Sequence, residues 1–176
     1  MRKDLPFALF PTAVGVCGIA WTARGIRRVE LPKTGRRKTM MQLSHGKPAH
    51  EQSAPPEWVR AVIRKLTRHL EGAQQDFTRV SIDLNGLPPF HQRTLKEARR
   101  IQPGQTVTYG ALARQLRSPK AARAVGQALA NNPVPIIVPC HRVLAAGGKL
   151  GGFSAAGGVT MKARLLAIEK RDRPLF

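Results

Sequence analysis

The segment IIVPCHRV, residues 136–143, places a thiol, an imidazole and a guanidinium directly after an apolar run. Cys140 is one of two cysteines in the 176 residues, and His141 and Arg142 follow it. Three kinds of chemistry use such groups: metal binding, hydrolysis by a Cys/His pair, and a covalent reaction performed once on a large anionic partner. The rest of the sequence has to distinguish these alternatives.

A metal site needs more ligands than this segment offers. Cys17 stands alone in an apolar stretch, which is typical of a small buried hydrophobic residue. The histidines show no CxxC or HxxxH spacing; they are His45, His50, His69, His91 and His141. The Gly-rich segment 145–158 lacks both the Gly-Lys-Ser/Thr ending and the GxGxxG spacing of nucleotide sites. We therefore predict neither a metal nor a cofactor.

The charge of the chain points to an anionic partner. Lys and Arg number 30 against 10 Asp and Glu, which gives a net charge of +20. A surface this cationic attracts polyanions, most commonly nucleic acid; preference for a membrane surface is the alternative. Between Glu97 and Glu169 no acidic residue occurs, and the cysteine segment lies inside this basic stretch. This distribution favours a phosphate-contacting surface.

The cysteine count and the N-terminus bear on location. Two cysteines exclude a disulfide-rich secreted scaffold. The stretch FALFPTAVGVCGIAW resembles a signal peptide superficially, but Pro11 and Gly15 interrupt it and no convincing cleavage site follows. No segment is long enough to span a bilayer. We predict a cytoplasmic protein without a membrane partner.

The N-terminal half alternates apolar stretches with turn residues. Residues 6–31 predict two or three short strands, and the polar segment 32–56 predicts a basic loop. A helix is expected from Glu57, after two prolines, and VSIDL at 80–84 is a plausible strand. GLPP at 86–89 breaks the pattern. We therefore predict an N-terminal α/β domain over 1–85 and a second domain over 86–176.

The second domain is expected to be mainly helical. Helices are predicted at 89–100, 109–117, 119–130 and 159–170, with Pro119 in the first turn of the third. The middle two form a candidate helix-turn-helix. The small side chains of PKAARAVGQALA suit either close helix packing or close approach to a nucleic-acid groove. The fold class is α/β (α+β).

Adjacency of Cys140 and His141 does not itself make a catalytic pair. In an extended segment successive side chains point to opposite faces, so a water molecule would have to join them. A free thiol, with a pKa of about 8.5, needs a base and an electropositive setting, and the base needs an orienting group. The flanking acids are Glu97, Glu169 and Asp172. Glu169 lies on the final helix, which could fold back, so a Cys-His-Glu relay is expected if there is a relay.

The motif NNPVPIIVPCHRV, followed by GGFSAAGG and LLAIE, resembles the methylated-DNA–protein-cysteine methyltransferase family, the O6-alkylguanine-DNA alkyltransferases. The similarity runs from about residue 84 to 171 and includes TYGALA and PKAARAVG; the N-terminal third is only loosely similar. The resemblance implies DNA repair by direct reversal. The alkyl group of O6-alkylguanine in double-stranded DNA would move irreversibly to Cys140, with O4-alkylthymine a further candidate substrate.

The resemblance also implies roles for individual residues. Cys140 would be the nucleophile, His141 the base acting through water, and Glu169 the group that orients His141. Asn132 would hold the turn beneath the site, and Tyr109 would donate a hydrogen bond toward a ring nitrogen of the flipped guanine.

DNA binding and the substrate pocket are implied in the same way. Arg123 would fill the gap left by the flipped base, while a helix of small residues lies in the minor groove. The implied DNA contacts are Arg123, Lys120, Arg142, Ala121, Ala122, Ala124 and Gly126. The implied pocket residues are Val143, Ser154, Phe153 and Lys162.

Two departures from the family affect the pocket, not the reaction. Phe153 stands where several members have tyrosine, and the loop Ser154–Lys162 is longer than in some relatives.

Because a thioether is stable and no second nucleophile is evident, each molecule should react once. We also expect the protein to be a monomer. A non-catalytic alkylated-DNA-binding module of the same fold is the alternative, although such relatives lack the cysteine. A Cys/His hydrolase is a weaker one.

Overall fold

The computed structural model describes residues 5–33, 35–43, 51 and 54–170. It begins with an antiparallel sheet of three strands in the order β1 (Phe7–Thr12), β2 (Gly15–Thr22) and β3 (Gly25–Glu30). Gly25 has a φ of +144°, and a Cβ there would lie 2.5 Å from the Ser81 carbonyl oxygen. Only glycine fits this turn without strain. The predicted strands over 6–31 are therefore present.

The predicted basic loop 32–56 is wrong in part, because Arg36–Leu43 forms helix α1. Two of its residues, Thr39 and Leu43, are buried, and Leu43 packs with Phe7 and Ala20 of the sheet. This contact with the sheet supplies the stabilisation that the polar helix lacks by itself. Residues 34, 44–50, 52 and 53 of the predicted loop lie outside the described residues.

Helix α2 (Glu57–Leu70) follows Pro56 and buries one face, including Val59, Val62, Leu66 and His69. Beyond it, the predicted strand at 80–84 is reduced to one bridge between Ile82 and Ile26 of β3. Pairing stops there because the chain turns after Asp83, whose carboxylate accepts hydrogen bonds from Thr22 and from the backbone of Asn85.

The C-terminal half contains four helices and a two-stranded parallel sheet among its described residues: α3 (Pro89–Ala98), β4 (Val107–Thr108), α4 (Tyr109–Gln115), α5 (Ala122–Ala130), β5 (Val143–Leu144) and α6 (Gly158–Lys170). Strand β4 leads directly into α4 and pairs with β5, which directly follows the segment Cys140–Arg142. This pairing brings the start of α4 beside that segment.

Helices α4 and α5 form the predicted helix pair, with one correction. Arg117 adopts a left-handed backbone with φ +56°, which ends the first helix region. The second helix begins at Ala122, not at 119, because the Ala121 amide donates to the Ser118 carbonyl and closes a turn. Pro119 therefore lies in the connecting turn.

A single hydrophobic cluster joins residues from both halves of the chain, from Ile19 and Leu66 to Leu112 and Val138. The amide of Val29 also donates to the Pro133 carbonyl at 2.9 Å. The domain boundary at 85/86 stays a prediction. Within the described ranges, no helix has the length and apolar character needed to cross a membrane.

Candidate active site

Cys140 lies at a cavity of about 320 Å³ between α4, α5 and the Gly-rich loop. Tyr109 lines it from the first turn of α4, and Gly152, Phe153 and Ser154 line it from the loop. Helix α5 contributes Gly126, Leu129 and Ala130. Cys140 as a whole residue is 8% exposed, so the cavity provides its access to a reaction partner. Leu129 and Ala130 were not predicted, because apolar residues on a helix carry no distinctive motif.

Asn132 fixes the turn that carries Cys140. Its Nδ2 donates to the Val138 carbonyl at 2.9 Å and to Cys140 Sγ at 3.2 Å. Its Oδ1 accepts from the Val134 amide at 3.0 Å. One side chain thus braces the segment at three points and also provides a hydrogen-bond donor to the sulfur.

The cysteine segment is not extended, in contrast to the sequence expectation. Cys140–Arg142 forms a 3₁₀ turn, closed by the Arg142 amide donating to the Pro139 carbonyl at 2.9 Å. Nε2 of His141 lies 2.7 Å from Glu169 Oε1. Nδ1 is buried and has no hydrogen-bond partner among the described residues. Since Nε2 faces a carboxylate, it carries the proton, and the Nδ1 lone pair is available.

Glu169 sits near the end of α6 and accepts hydrogen bonds from several donors. Arg142 reaches Oε1 through Nη2 at 2.7 Å and Oε2 through Nε at 2.9 Å. His69 Nε2 lies 3.0 Å from Oε1, and the Gly104 amide donates to Oε2 at 3.4 Å. His69 comes from α2 and was not predicted. Its separation from Glu169 by 100 positions leaves no local signal.

The other acidic candidates are not at the site. Glu97 pairs with Arg100 at 3.2 Å on the surface of α3. Asp172 lies outside the described residues. Glu169 is therefore the carboxylate that the structure places against His141.

Burial and hydrogen bonding together set the protonation states of the three central groups. Burial raises the pKa of Cys140, although the Asn132 hydrogen bond and the Lys162 charge oppose this. It lowers the pKa of His141, which Glu169 opposes. Burial would raise the pKa of Glu169, but hydrogen bonds from His141, His69 and Arg142 outweigh it and hold this pKa far below its usual range. At neutral pH the site therefore contains a thiol, a neutral imidazole and a carboxylate.

Lys162 is buried beneath the cavity and connects β5 to the Gly-rich loop by hydrogen bonds. Its Nζ donates to the Val143 carbonyl at 2.7 Å and the Gly152 carbonyl at 3.2 Å. It also lies 5.8 Å from the centroid of the Tyr109 ring. Val143 is buried in β5 and does not line the cavity, whereas Ser154 lines it and donates through Oγ to Ala130.

The residues predicted to contact DNA separate into two groups. Lys120, just before α5, and Arg123, in the first turn of α5, are exposed. The residues beside them are partly buried: Ala121, Ala122, Ala124 and Gly126. Arg142 is buried, with its side chain 4% exposed, and it donates to the Ile101 carbonyl as well as to Glu169. The predicted DNA contact of Arg142 is wrong, because its guanidinium is enclosed in this ion pair.

Comparison with known proteins bears on the identity of this site. A family model described as "6-O-methylguanine DNA methyltransferase, DNA binding domain" matches residues 89–171. The methylated-DNA–protein-cysteine methyltransferase of Mycolicibacterium paratuberculosis is 40% identical over 68% of this chain and 70% of its own length. That of Methanosarcina acetivorans is 33% identical over 93% of this chain and 97% of its own. The chain belongs to the methylated-DNA–protein-cysteine methyltransferase family.

Solved structures of this family match nearly the whole chain. The O6-methylguanine methyltransferase of Mycobacterium tuberculosis aligns with a TM-score of 0.77 and 31% identity, covering 98% of this chain and 96% of that one. The M. tuberculosis OGT in complex with DNA aligns with a TM-score of 0.76 and 32% identity, covering 97% and 96%. The family resemblance and the mixed α/β fold expected from the sequence are thus confirmed.

Proposed function

We propose that this protein repairs DNA by moving the alkyl group of O6-alkylguanine onto Cys140. The observation that carries the proposal is the arrangement at the cavity. The thiol lines a cavity, and one nitrogen of the neighbouring imidazole has no hydrogen-bond partner among the described residues while a carboxylate holds the other nitrogen. This arrangement fits a nucleophile whose proton must leave before it attacks.

His141 is the base in this proposal. The raised pKa of Cys140 keeps the thiol protonated at neutral pH, so attack requires removal of that proton. Nδ1 of His141 accepts it through a bridging water, and Glu169 stabilises the resulting imidazolium from the Nε2 side. Asn132 donates to the sulfur and stabilises its developing negative charge.

Tyr109 assists the leaving group. Burial raises the pKa of its hydroxyl, which keeps it a proton donor toward a ring nitrogen of guanine. The sulfur–carbon bond forms while the carbon–O6 bond breaks, and guanine leaves with the electron pair of that bond and takes up a proton. The thiol proton goes to His141. Nothing is oxidised or reduced, so the reaction requires no redox cofactor.

Double-stranded DNA is the proposed partner. The exposed Lys120 and Arg123 supply positive charge beside the small residues of α5, which admit the backbone to a narrow groove. Because the thiol lies inside a cavity, the modified base has to leave the duplex to reach it, at a cost of a few kcal/mol. Arg123 supports this step by occupying the vacated position.

The alternative, a DNA-binding module without chemistry, gives no role to the thiol and its relay. A hydrolase is disfavoured because the net charge of +20 suits a polyanion. The thioether product of alkyl transfer is stable, which makes each molecule a single-use reagent. The monomeric state, the cytoplasmic location and the activity on O4-alkylthymine stay predictions.

Mass spectrometry after mixing with a duplex that contains O6-methylguanine tests the function. We expect one equivalent of adduct, a gain of about 14 Da for one added methylene, on the peptide that contains Cys140. No cofactor should be needed. Folded protein that binds the duplex but gains no mass would refute the transfer and favour the non-catalytic module.

The chain contains a matched internal control. Cys17 is also buried, and burial raises its pKa to about 11, but it belongs to the sheet and not to the cavity. The Cys17 peptide should keep its mass in the same digest. Equal modification of both cysteines would show nonspecific alkylation instead of transfer at a built site.

A further inference from the structure

His69 connects the N-terminal half of the chain to the reaction centre. It lies one residue before the end of α2, and its side chain is 1% exposed. Its Nε2 contacts Glu169 of α6, whose carboxylate also binds His141 and Arg142 of the Cys140–Arg142 turn. No family motif from the sequence includes it, and the transfer chemistry proposed above does not use it.

The hydrogen bonds of His69 define its tautomer. The backbone N–H of Gln75 donates to His69 Nδ1 at 3.2 Å, so Nδ1 is an acceptor and Nε2 carries the proton. Nε2–H therefore donates to Glu169 Oε1 at 3.0 Å. The Phe77 ring packs edge-on against the imidazole, with ring centroids 5.4 Å apart, which restricts its rotation. The donor is thus preorganised.

The turn that follows α2 also forms a hydrogen bond with the backbone of Glu169. Gln74 donates through Nε2 to the Glu169 carbonyl at 2.8 Å. Hydrogen bonds from residues 69 and 74 therefore fix both the carboxylate and the backbone of one residue in α6. The same oxygen, Oε1, accepts from His141 at 2.7 Å, so its orientation determines that of the His141 ring.

We propose that His69 is a positioning residue for alkyl transfer: its Nε2–H holds the Glu169 carboxylate in the orientation that fixes the His141 ring, so that His141 Nδ1 can take the thiol proton through water. The proposal rests on the proposed function. It gives the N-terminal half a part in the chemistry beyond support of the fold.

Single-turnover kinetics on an O6-methylguanine duplex test this role. Replacing His69 with leucine removes the donor, and we expect the second-order rate constant to fall about tenfold, as for loss of a hydrogen bond to a charged group. His69→Gln places an amide N–H near the position of Nε2 and should retain a rate within about threefold of wild type. In a Glu169→Gln background, His69→Leu should change the rate less than about twofold, because the oriented carboxylate is already absent.

Val62→Ala is the matched control, because Val62 is buried on the same helix. It should lower thermal stability without slowing transfer. Equal slowing by Val62→Ala and His69→Leu, or a full additive loss in the Glu169→Gln background, would overturn the proposal. So would a wild-type rate in His69→Leu.

Nitrogen NMR of ¹⁵N-histidine-labelled wild-type protein gives a readout that does not depend on activity or on the folding of any variant. His69 should be the tautomer protonated at Nε2 only. A proton on Nδ1 instead would overturn the inference. Absence of an adduct on wild-type Cys140 would refute the proposed function and leave this spectrum unchanged, so the two failures are distinguishable.

Discussion

Replacing Arg142 with methionine separates a buried structural role from a DNA contact. The guanidinium makes three contacts of 2.7 to 3.2 Å with the Glu169 carboxylate and one with the Ile101 carbonyl. Removing one partner of a buried ion pair costs about 3–5 kcal/mol. Glu169 keeps its donors His141 and His69, so we expect the lower end, about 3 kcal/mol.

Urea unfolding at neutral pH measures this loss. The pKa of Glu169 lies below its unfolded value of about 4.3, so its ionised form stabilises the fold above that pH and the contribution is lost on acidification. Wild-type stability should therefore begin to fall as the pH drops below about 4. The affinity for undamaged duplex can be measured by fluorescence anisotropy at several salt concentrations. The slope of log affinity against log salt concentration should be the same for Arg142→Met as for wild type.

Arg123→Met is the matched control, because Arg123 is exposed on α5. It should change stability by less than about 0.5 kcal/mol and reduce the logarithmic salt slope by about 1. If Arg142→Met keeps the wild-type stability and reduces the salt slope instead, its guanidinium contacts phosphate, and the buried pairing with Glu169 is wrong.

Two further predictions concern the reaction. Because burial lowers the pKa of His141, the base stays neutral on acidification and the second-order transfer rate should stay level from about pH 8 to about pH 6.5, falling only below that. A fall already between about pH 7.5 and 6.5 in a pH–rate series would contradict this assignment. Arg123→Ala should slow repair of O6-methylguanine in duplex more than reaction with the free base, since it supports flipping; equal loss on both substrates would exclude that role.

Elements with a strong periodic pattern could be predicted from the sequence. The strands of the N-terminal sheet and helix α2 follow such patterns, because each buries one face against the same cluster. The association of Glu169 with His141 could also be predicted, since the long acid-free stretch leaves few carboxylates to orient an imidazole. That prediction followed from the small number of candidate carboxylates.

The features that the sequence did not predict correctly depend on contacts between residues that are distant in sequence. Helix α1 is polar and buries only Thr39 and Leu43, so its stability comes from the sheet beneath it and not from its pattern. Arg142 was counted with the phosphate-binding cations because a sequence does not reveal which guanidinium is enclosed. His69 gives no signal beyond being a lone histidine on a helix. Each case required the packing of elements that are far apart in sequence.

The crowding of one carboxylate has a consequence for how this chain can vary. Glu169 accepts from two imidazoles, a guanidinium and a backbone amide, so it serves both the fold and the relay. A substitution at either imidazole or at the guanidinium disturbs the other two through the shared oxygen Oε1. Mutational tolerance should therefore be lowest around this atom, and effects there should be strongly epistatic. Directed evolution toward new substrates has more freedom at the cavity wall, at Phe153 and Ser154, than at its buried support.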